Sequence, residues 1–187
     1  MAWTTARTWI TGEVVTKTIL DQHVRDNLQF LHDRTRNLWV PVTQAFVGGV
    51  DIPLLARQVG ATAARWPVAP LAAANDRASM VAKVPDDYGS IDTVHIMVIP
   101  KATQAAADWD LHIDQEGEGS TIGTSVKNDT TSTYNVTLNV LFAVSLVALF
   151  AAAPITGSAS YLGVTLIQGT AGHNVDVLGF LLRYYPV

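Results

Sequence analysis

Apolar residues recur along this chain with two different periods, and the change from one to the other divides it. Leu20, Val24, Leu28, Leu31, Thr35 and Leu38 fall three and four apart, the spacing that lines one face of an α-helix. Asp21, Arg25, Asp26, Asp33, Arg34 and Arg36 occupy much of the remaining surface, so the pattern predicts a helix over residues 18–37 with a narrow apolar stripe. Thr16 or Thr18 is placed to cap its start, and Asp21, three residues after Thr18, would complete a capping box. Pro41 stops any continuation. Two readings of the stripe stand side by side: a coiled-coil seam in which Asn27 or Arg34 sets the register, or a face packed on the chain's own domain. The pattern is shorter than the three or four heptads that would separate them.

After residue 39 the period becomes two. Residues 42–50 predict a first strand closing at Gly48-Gly49, and residues 80–84 a short one. The apolar stretches around Pro53, Pro67 and Pro70 suit edge strands or connections, because proline cannot donate to a ladder. In Pro85-Asp86-Asp87-Tyr88-Gly89, proline sets φ, the acids bond nearby backbone and glycine accepts positive φ, which predicts a turn. Residues 90–99 are apolar on both faces and predict a central strand. Residues 108–114 alternate cleanly, with Trp109, Leu111 and Ile113 against Asp108, Asp110, His112 and Asp114, so one face is core and the other wet. Glu116-Gly117-Glu118-Gly119 reads as a loop and residues 134–144 as a long strand. Residues 160–168 and 175–185 read as two more, divided by Gly169-Thr170-Ala171-Gly172. Without a βαβ rhythm, such spacing predicts an antiparallel sandwich or barrel.

Ahead of the helix lies a Thr-rich arm that carries Trp3 and Trp9 and breaks at Thr11-Gly12. An isolated arm cannot bury two indoles, so something else must cover them. Composition points the same way. The chain is 49% apolar and 15% charged with mean hydropathy +0.23, more apolar surface than one isolated domain needs, which predicts subunit contacts. A net charge of −4 without a Lys/Arg cluster argues against nucleic acid as a partner. The absence of cysteine excludes disulfides, thiolate metal sites and cysteine nucleophiles. No basic region followed by an apolar run opens the chain, so no signal peptide is expected. Residues 140–153 are uncharged and apolar apart from Ser145, but a spanning helix needs about 20 such residues. Asn139 before the run and Pro154 after it predict a buried strand and a short turn of helix, with no membrane contact.

The search for chemistry finds little. Gly157-Ser158-Ala159-Ser160-Tyr161 lacks the second glycine of a hydrolase elbow, and no glycine cluster with a following lysine cradles phosphate. His95 and His112 lie on neighbouring predicted strands where they could meet across a ladder, and Asp114, Glu116 and Glu118 crowd the loop that follows, which would suit a zinc or calcium site. The spacing matches no ligand pattern, and a packed His95, a wet-face His112 and a solvated acidic tip explain the same residues; no metal or cofactor is expected. Asp108 and Asp110 lie about 6.5 to 7 Å apart along a strand, a glycosidase-like separation that alternation produces constantly. Trp66, Tyr88, Trp109 and Tyr134 offer aromatic faces to a glycan, although alternating aromatics are usually core. His23 and His32 read as polar-face helix residues and His173 as a turn residue.

Trp9-Ile10-Thr11-Gly12-Glu13-Val14-Val15-Thr16, followed by Asp21-Gln22-His23-Val24-Arg25-Asp26-Asn27-Leu28-Gln29-Phe30-Leu31, resembles the opening of many tailed-bacteriophage virion proteins. In these a Trp, a Gly-Glu-Val-Val-Thr turn and a His-x-Arg-Asp-Asn-Leu helix recur. The likeness covers about the first 40 residues. The rest is only loosely similar to the jelly-roll domains that follow such openings, through residues 89–99, Glu116-Gly117-Glu118, residues 160–164 and 178–184. Ile19-Leu20-Asp21-Gln22 departs from the usual small-residue and asparagine stretch, and residues 140–153 are unusually apolar. The resemblance implies a mainly β chain, with an arm and one α-helix over residues 1–38 and an antiparallel jelly-roll-like β-sandwich over residues 39–187. It implies a non-enzymatic capsid decoration protein that forms homotrimers and contacts its neighbours and the major capsid protein through the arm, in a virion assembled in the host cytoplasm. The contact residues expected are Trp3, Trp9, Ile10, Leu20, Val24, Leu28, Leu31 and Leu38. The alternative is a tail or head fibre module that binds a host receptor or glycan through the sandwich loops.

Overall fold

The two-residue period is realised as two antiparallel sheets packed face to face. A computed structural model describes residues 8, 11–42, 44–47, 50–52, 55–58, 65–117, 127–156 and 160–187. Helical residues come first, as α1 (Lys17–Leu20), a π-turn (Asp21–Arg25) and α2 (Asp26–His32). Then follow β1 (Arg36–Pro41), β2 (Gln44–Val47), β3 (Val50–Ile52), β4 (Leu55–Gln58), β5 (Arg65–Leu71), β6 (Arg77–Lys83), β7 (Tyr88–Pro100) and β8 (Gln104–Gly117). The chain closes with β9 (Lys127–Asp129), β10 (Thr133–Val136), β11 (Phe142–Ser145), α3 (Val147–Ala152), β12 (Ser160–Gln168) and β13 (Val175–Pro186).

The first sheet runs β11-β7-β13-β5-β4, with β1 also on β13; the second runs β10-β8-β12-β6-β2-β3, with β9 on β8. Consecutive strands usually lie in opposite sheets, as β5 to β6, β6 to β7, β7 to β8, β10 to β11 and β12 to β13. Each such crossing lets one strand's apolar face meet the next across the core, and the result is a jelly-roll-like sandwich. Val94, Ile96 and Val98 of β7 meet Trp109, Leu111 and Ile113 of β8, and all six side chains are buried. The predicted alternation of residues 108–114 is therefore realised. So is the apolar double face of β7: its outward Ile99 joins Val68 and Leu178 in a second small cluster, on the far side of the first sheet.

Several expectations are corrected. The helix ends at His32, not residue 37; Asp33 stops it with ψ near 0°, and Arg36 already begins β1. β1 pairs with β13 from Arg36 to Pro41, so it crosses the division drawn at residues 38 and 39. Residues 134–144 form two strands in different sheets, because Asn139 at φ 59° turns the chain from β10 into β11. The strand expected over residues 42–50 is β2, which ends at Val47 just ahead of Gly48-Gly49, and Val50 already belongs to β3, its antiparallel partner in the same sheet. β5, with Pro67 and Pro70, is not an edge. Each neighbour pairs with only half of it, β4 with Arg65 to Val68 and β13 with Ala69 to Leu71, so few ladder bonds are asked of it. The turn at Pro85 forms, with Tyr88 N–H donating to the Pro85 carbonyl at 3.0 Å. Its glycine serves another purpose: a Cβ at Gly89 would sit 2.9 Å from the Tyr185 carbonyl oxygen. β8 also runs through Glu116 and Gly117, which read as loop in the sequence.

The apolar run at residues 140–153 is a strand followed by a short helix, as predicted. Val144, Leu146 and Phe150 enter the core, whereas Val140, Leu141 and Val147 stay exposed. Among the described residues no helix is long and apolar enough to cross a membrane.

Candidate subunit interface

The helical segment is built locally. Thr16 caps it, its side-chain oxygen accepting from Ile19 N–H at 3.4 Å, so the earlier of the two candidate threonines is used. Lys17 and Arg25 flank Asp21 one turn away on either side, at 2.5 and 3.1 Å, a ladder of i,i+4 pairs that supports an isolated helix. The Lys17 hydrogen bond, with help from the two cations' charges, holds the Asp21 carboxyl below its ordinary range. Asp26 N–H reaches back five residues to the Asp21 carbonyl, which makes residues 21–25 a π-turn. The wider turn lowers the rotation per residue, so residues four apart drift less around the axis and Leu20, Val24 and Leu28 run nearly parallel to it.

These three are exposed by 47%, 43% and 61%, and among the described residues no strand makes extensive contact with the helical segment, although Asn27 and the His23 Nδ1 on it are buried. A continuous apolar row left exposed along a helix is what a subunit seam presents before assembly. Asn27 is not part of that row: it is buried, and its Nδ2 donates to the His23 carbonyl at 3.3 Å. Arg34 lies past the helix end, its guanidinium 5.7 Å from the Phe30 ring centre, and so cannot set a helical register. Leu31 lies on α2. Leu38 does not continue the stripe: it sits on β1 opposite Leu182 and packs against the main core. Trp3, Trp9 and Ile10 lie outside the described residues.

A second apolar surface was not anticipated. On the outer face of the first sheet, where β1 ends and β5 begins alongside β13, a groove of about 450 Å³ is walled by Trp39, Pro41 and Pro67 and floored by Met97, Leu178 and Leu181. Leu141, from the exposed part of the apolar run, lies at its rim. Trp39 is 47% exposed although its ring lies over the backbone of Gly179. The sequence signal was present in the outward positions of β7 and β13, where Met97, Leu178 and Leu181 stand among polar neighbours such as His95 and Arg183.

His95 stands beside this groove, opposite Leu181 on one side and Ser145 on the other, with its Nδ1 buried and unbonded. Burial pushes its pKa down, and the Arg183 guanidinium, itself bonded to Asp92, adds to the shift. The unfolded chain therefore takes up a proton that the folded one resists. His95 contributes full stability above about pH 6.5, and the contribution is lost as pH falls below that value toward the lower folded pKa. Urea unfolding at pH 7.5 and 5 is expected to show a smaller drop in midpoint for His95→Gln than for the parent chain.

The residues that suggested chemistry are not brought together for it. His95 and His112 are on opposite sheets, because β7 and β8 are consecutive without being paired, and His112 instead opposes Thr165 and Asn128. Among the described residues no group of three His, Asp or Glu could hold a metal. The Asp108 carboxylate accepts from Thr170 Oγ1 at 2.6 Å and fills the space a Cβ on Gly169 would need, so it fastens the turn between β12 and β13. Asp110 is pushed up by burial and then by Asp108, with His112 opposing. Of the aromatics offered for a glycan, the side chain of Trp66 lies outside what the structure describes, and the other three are committed to packing. Trp109 is 1% exposed and stacks on Tyr134 at 5.6 Å, and Tyr88 tilts against Tyr184 at 5.8 Å. No protein-family model and no curated protein sequence matches this chain.

Proposed function

We propose that this chain is a non-enzymatic structural component of a bacteriophage particle, a capsid decoration protein that assembles as a homotrimer through its helix and grips neighbours through its N-terminal arm. The observation that carries the reading is the row of Leu20, Val24 and Leu28 left exposed along one side of the helix. Full burial of such a side chain from water stabilises by about 1.5–3 kcal/mol, and these three, already about half covered, would each gain roughly half of that before the entropy of association is subtracted. Three copies related by a closed rotation would bury the row in a shared seam. The arm, with its two indoles, then supplies contact to the next subunit or to the major capsid protein, and repeated sites on a shell raise its effective concentration.

Light scattering after gel filtration tests the assembly. The full-length chain is expected to elute as a trimer and Val24→Glu/Leu28→Glu as a folded monomer, with the thermal transition of the sandwich retained. A monomeric parent chain, or a trimer indifferent to the two charges, would overturn helix-mediated assembly. Immunogold electron microscopy of phage particles tests the location: shell labelling is the expected result, and labelling confined to the tail would move the chain to an appendage.

A further inference from the structure

We infer that His173 is an acid-sensitive latch: unprotonated, it fastens the turn between β12 and β13 to β8, and on taking up a proton it releases that turn.

The turn is tied to two consecutive residues of β8. Asp108 N–H donates to His173 Nδ1 at 2.9 Å, and Trp109 Nε1–H donates to the His173 carbonyl at 2.9 Å. Gly169 N–H donates to the Asp108 carbonyl at 3.1 Å, and Thr170 Oγ1 donates to the Asp108 carboxylate at 2.6 Å. The ladder between β12 and β8 ends at Gln168 opposite Trp109. Gly169 N–H still makes half of the next rung, and the imidazole completes it, accepting the Asp108 N–H that a main-chain carbonyl would take in a continued ladder.

That substitution makes the rung depend on pH. A neutral imidazole has one donor and one acceptor nitrogen, whereas in the charged ring both nitrogens donate. Accepting from a main-chain N–H therefore sets the ring as its Nε2–H tautomer, and a proton on Nδ1 leaves two donors facing each other. The bond is then lost at the point where the β12 ladder has already ended. A carbonyl acceptor in the same place would be indifferent to mild acid, and imidazole is the side chain whose charge changes there.

The protonated ring has an alternative partner close by. Asp108 carries both an N–H that suits the neutral ring and a carboxylate that suits the charged one. That carboxylate is held by Thr170 and packed over Gly169, so an imidazolium that takes it competes with a second bond closing the turn. The other charged and titratable groups on the surrounding elements are engaged elsewhere. Lys101, whose N–H donates to the Asn174 carbonyl, pairs through its ammonium with Asp176 at 2.9 Å. Asp76 accepts from Ala72 and Ala73 N–H, Tyr134 stacks on Trp109, and Asp110 lies two residues along β8 within the influence of His112. Residues 169–174 carry no charged side chain apart from the imidazole.

Nuclear magnetic resonance of the full-length chain between pH 7.5 and 5 tests the latch. Long-range nitrogen–proton correlation spectra are expected to show His173 as the Nε2–H tautomer at pH 7.5. Protection of the Asp108 amide from hydrogen exchange, corrected for the intrinsic rate at each pH, is expected to fall about tenfold as the ring titrates, the size of one lost hydrogen bond. Amides at the centre of β12 are expected to keep theirs, which separates this local change from a loss of stability through His95. In His173→Asn the side-chain Oδ1 takes the place of Nδ1 and accepts at every pH, so Asp108 protection is expected to hold across the range. An Nδ1–H tautomer at pH 7.5, Asp108 protection unmoved by the ring's titration, or the same loss in His173→Asn overturns the proposal. Should the substituted chain not fold at pH 7.5, the tautomer and the exchange of the parent chain decide.

Discussion

Trp109→Ala is expected to destabilise the sandwich by about 3–5 kcal/mol, the range for removing a large aromatic from a packed core. Trp109 is 1% exposed, stacks on Tyr134 at 5.6 Å and meets Phe142 edge-on at 6.4 Å. It therefore joins β8, β10 and β11, strands drawn from both sheets. Its indole N–H also donates to the His173 carbonyl at 2.9 Å, while His173 Nδ1 accepts from Asp108 N–H at 2.9 Å. Removing the indole leaves that carbonyl unbonded and loosens the turn between β12 and β13, at a further cost of about 1 kcal/mol. A domain of this kind has only about 5–15 kcal/mol in hand, so the variant should lose about a quarter or more of its stability. Urea unfolding followed by far-ultraviolet circular dichroism checks this. Trp39→Ala is the control, because Trp39 is half-exposed, and a similar loss in the two would show that the core is not organised around Trp109.

Gly179→Val should cost toward the upper end of the roughly 1–3 kcal/mol typical of overpacked interiors, and for a backbone reason. A Cβ there would collide with the Val40 carbonyl oxygen and come within 2.8 Å of the Trp39 ring and 2.9 Å of the Pro41 Cα. Two of these three neighbours are main chain and cannot swing aside. The expected consequence is that β1 separates from β13 along Pro41 to Trp39, which also opens the wall of the outer groove. Hydrogen exchange at Leu38 and Val40 would report it as lost protection. Gly163→Ala provides the contrast: its nearest neighbour would be the Asp114 Cβ at 3.6 Å, an ordinary contact, and a glycine within a strand forgoes about 0.5–1 kcal/mol relative to alanine. That change should be neutral or mildly stabilising in the same assay.

Much of the sandwich was legible because strands with one wet face write their orientation into alternate residues. Trp109, Leu111 and Ile113 announced the core side of β8, and the bounds of β12 follow from the apolar run at residues 160–168. What misled was continuity. Residues 134–144 look like one strand, since composition does not register a corner, and only the αL backbone at Asn139 divides them. The helix stripe seemed to continue to Leu38 because a three-four spacing and a two-residue spacing coincide over a few positions, and pairing with β13 decided the matter in favour of β1.

The candidate interface was legible in part. Leu20, Val24 and Leu28 could be read as one row from spacing alone, but whether their own domain covers them depends on where the helix goes, which no local pattern encodes. The groove was harder still. Trp39, Pro67, Met97 and Leu178 come from four strands and become neighbours only when β13 brings β7, β1 and β5 together.

By itself, then, the sequence determined the kind of element each stretch would form and which faces would be apolar, since both follow from short-range sterics and side-chain period. The tertiary structure alone decided which apolar faces find partners within the chain and which stay open. Burial is a non-local quantity, settled by long-range pairings that bring distant residues together.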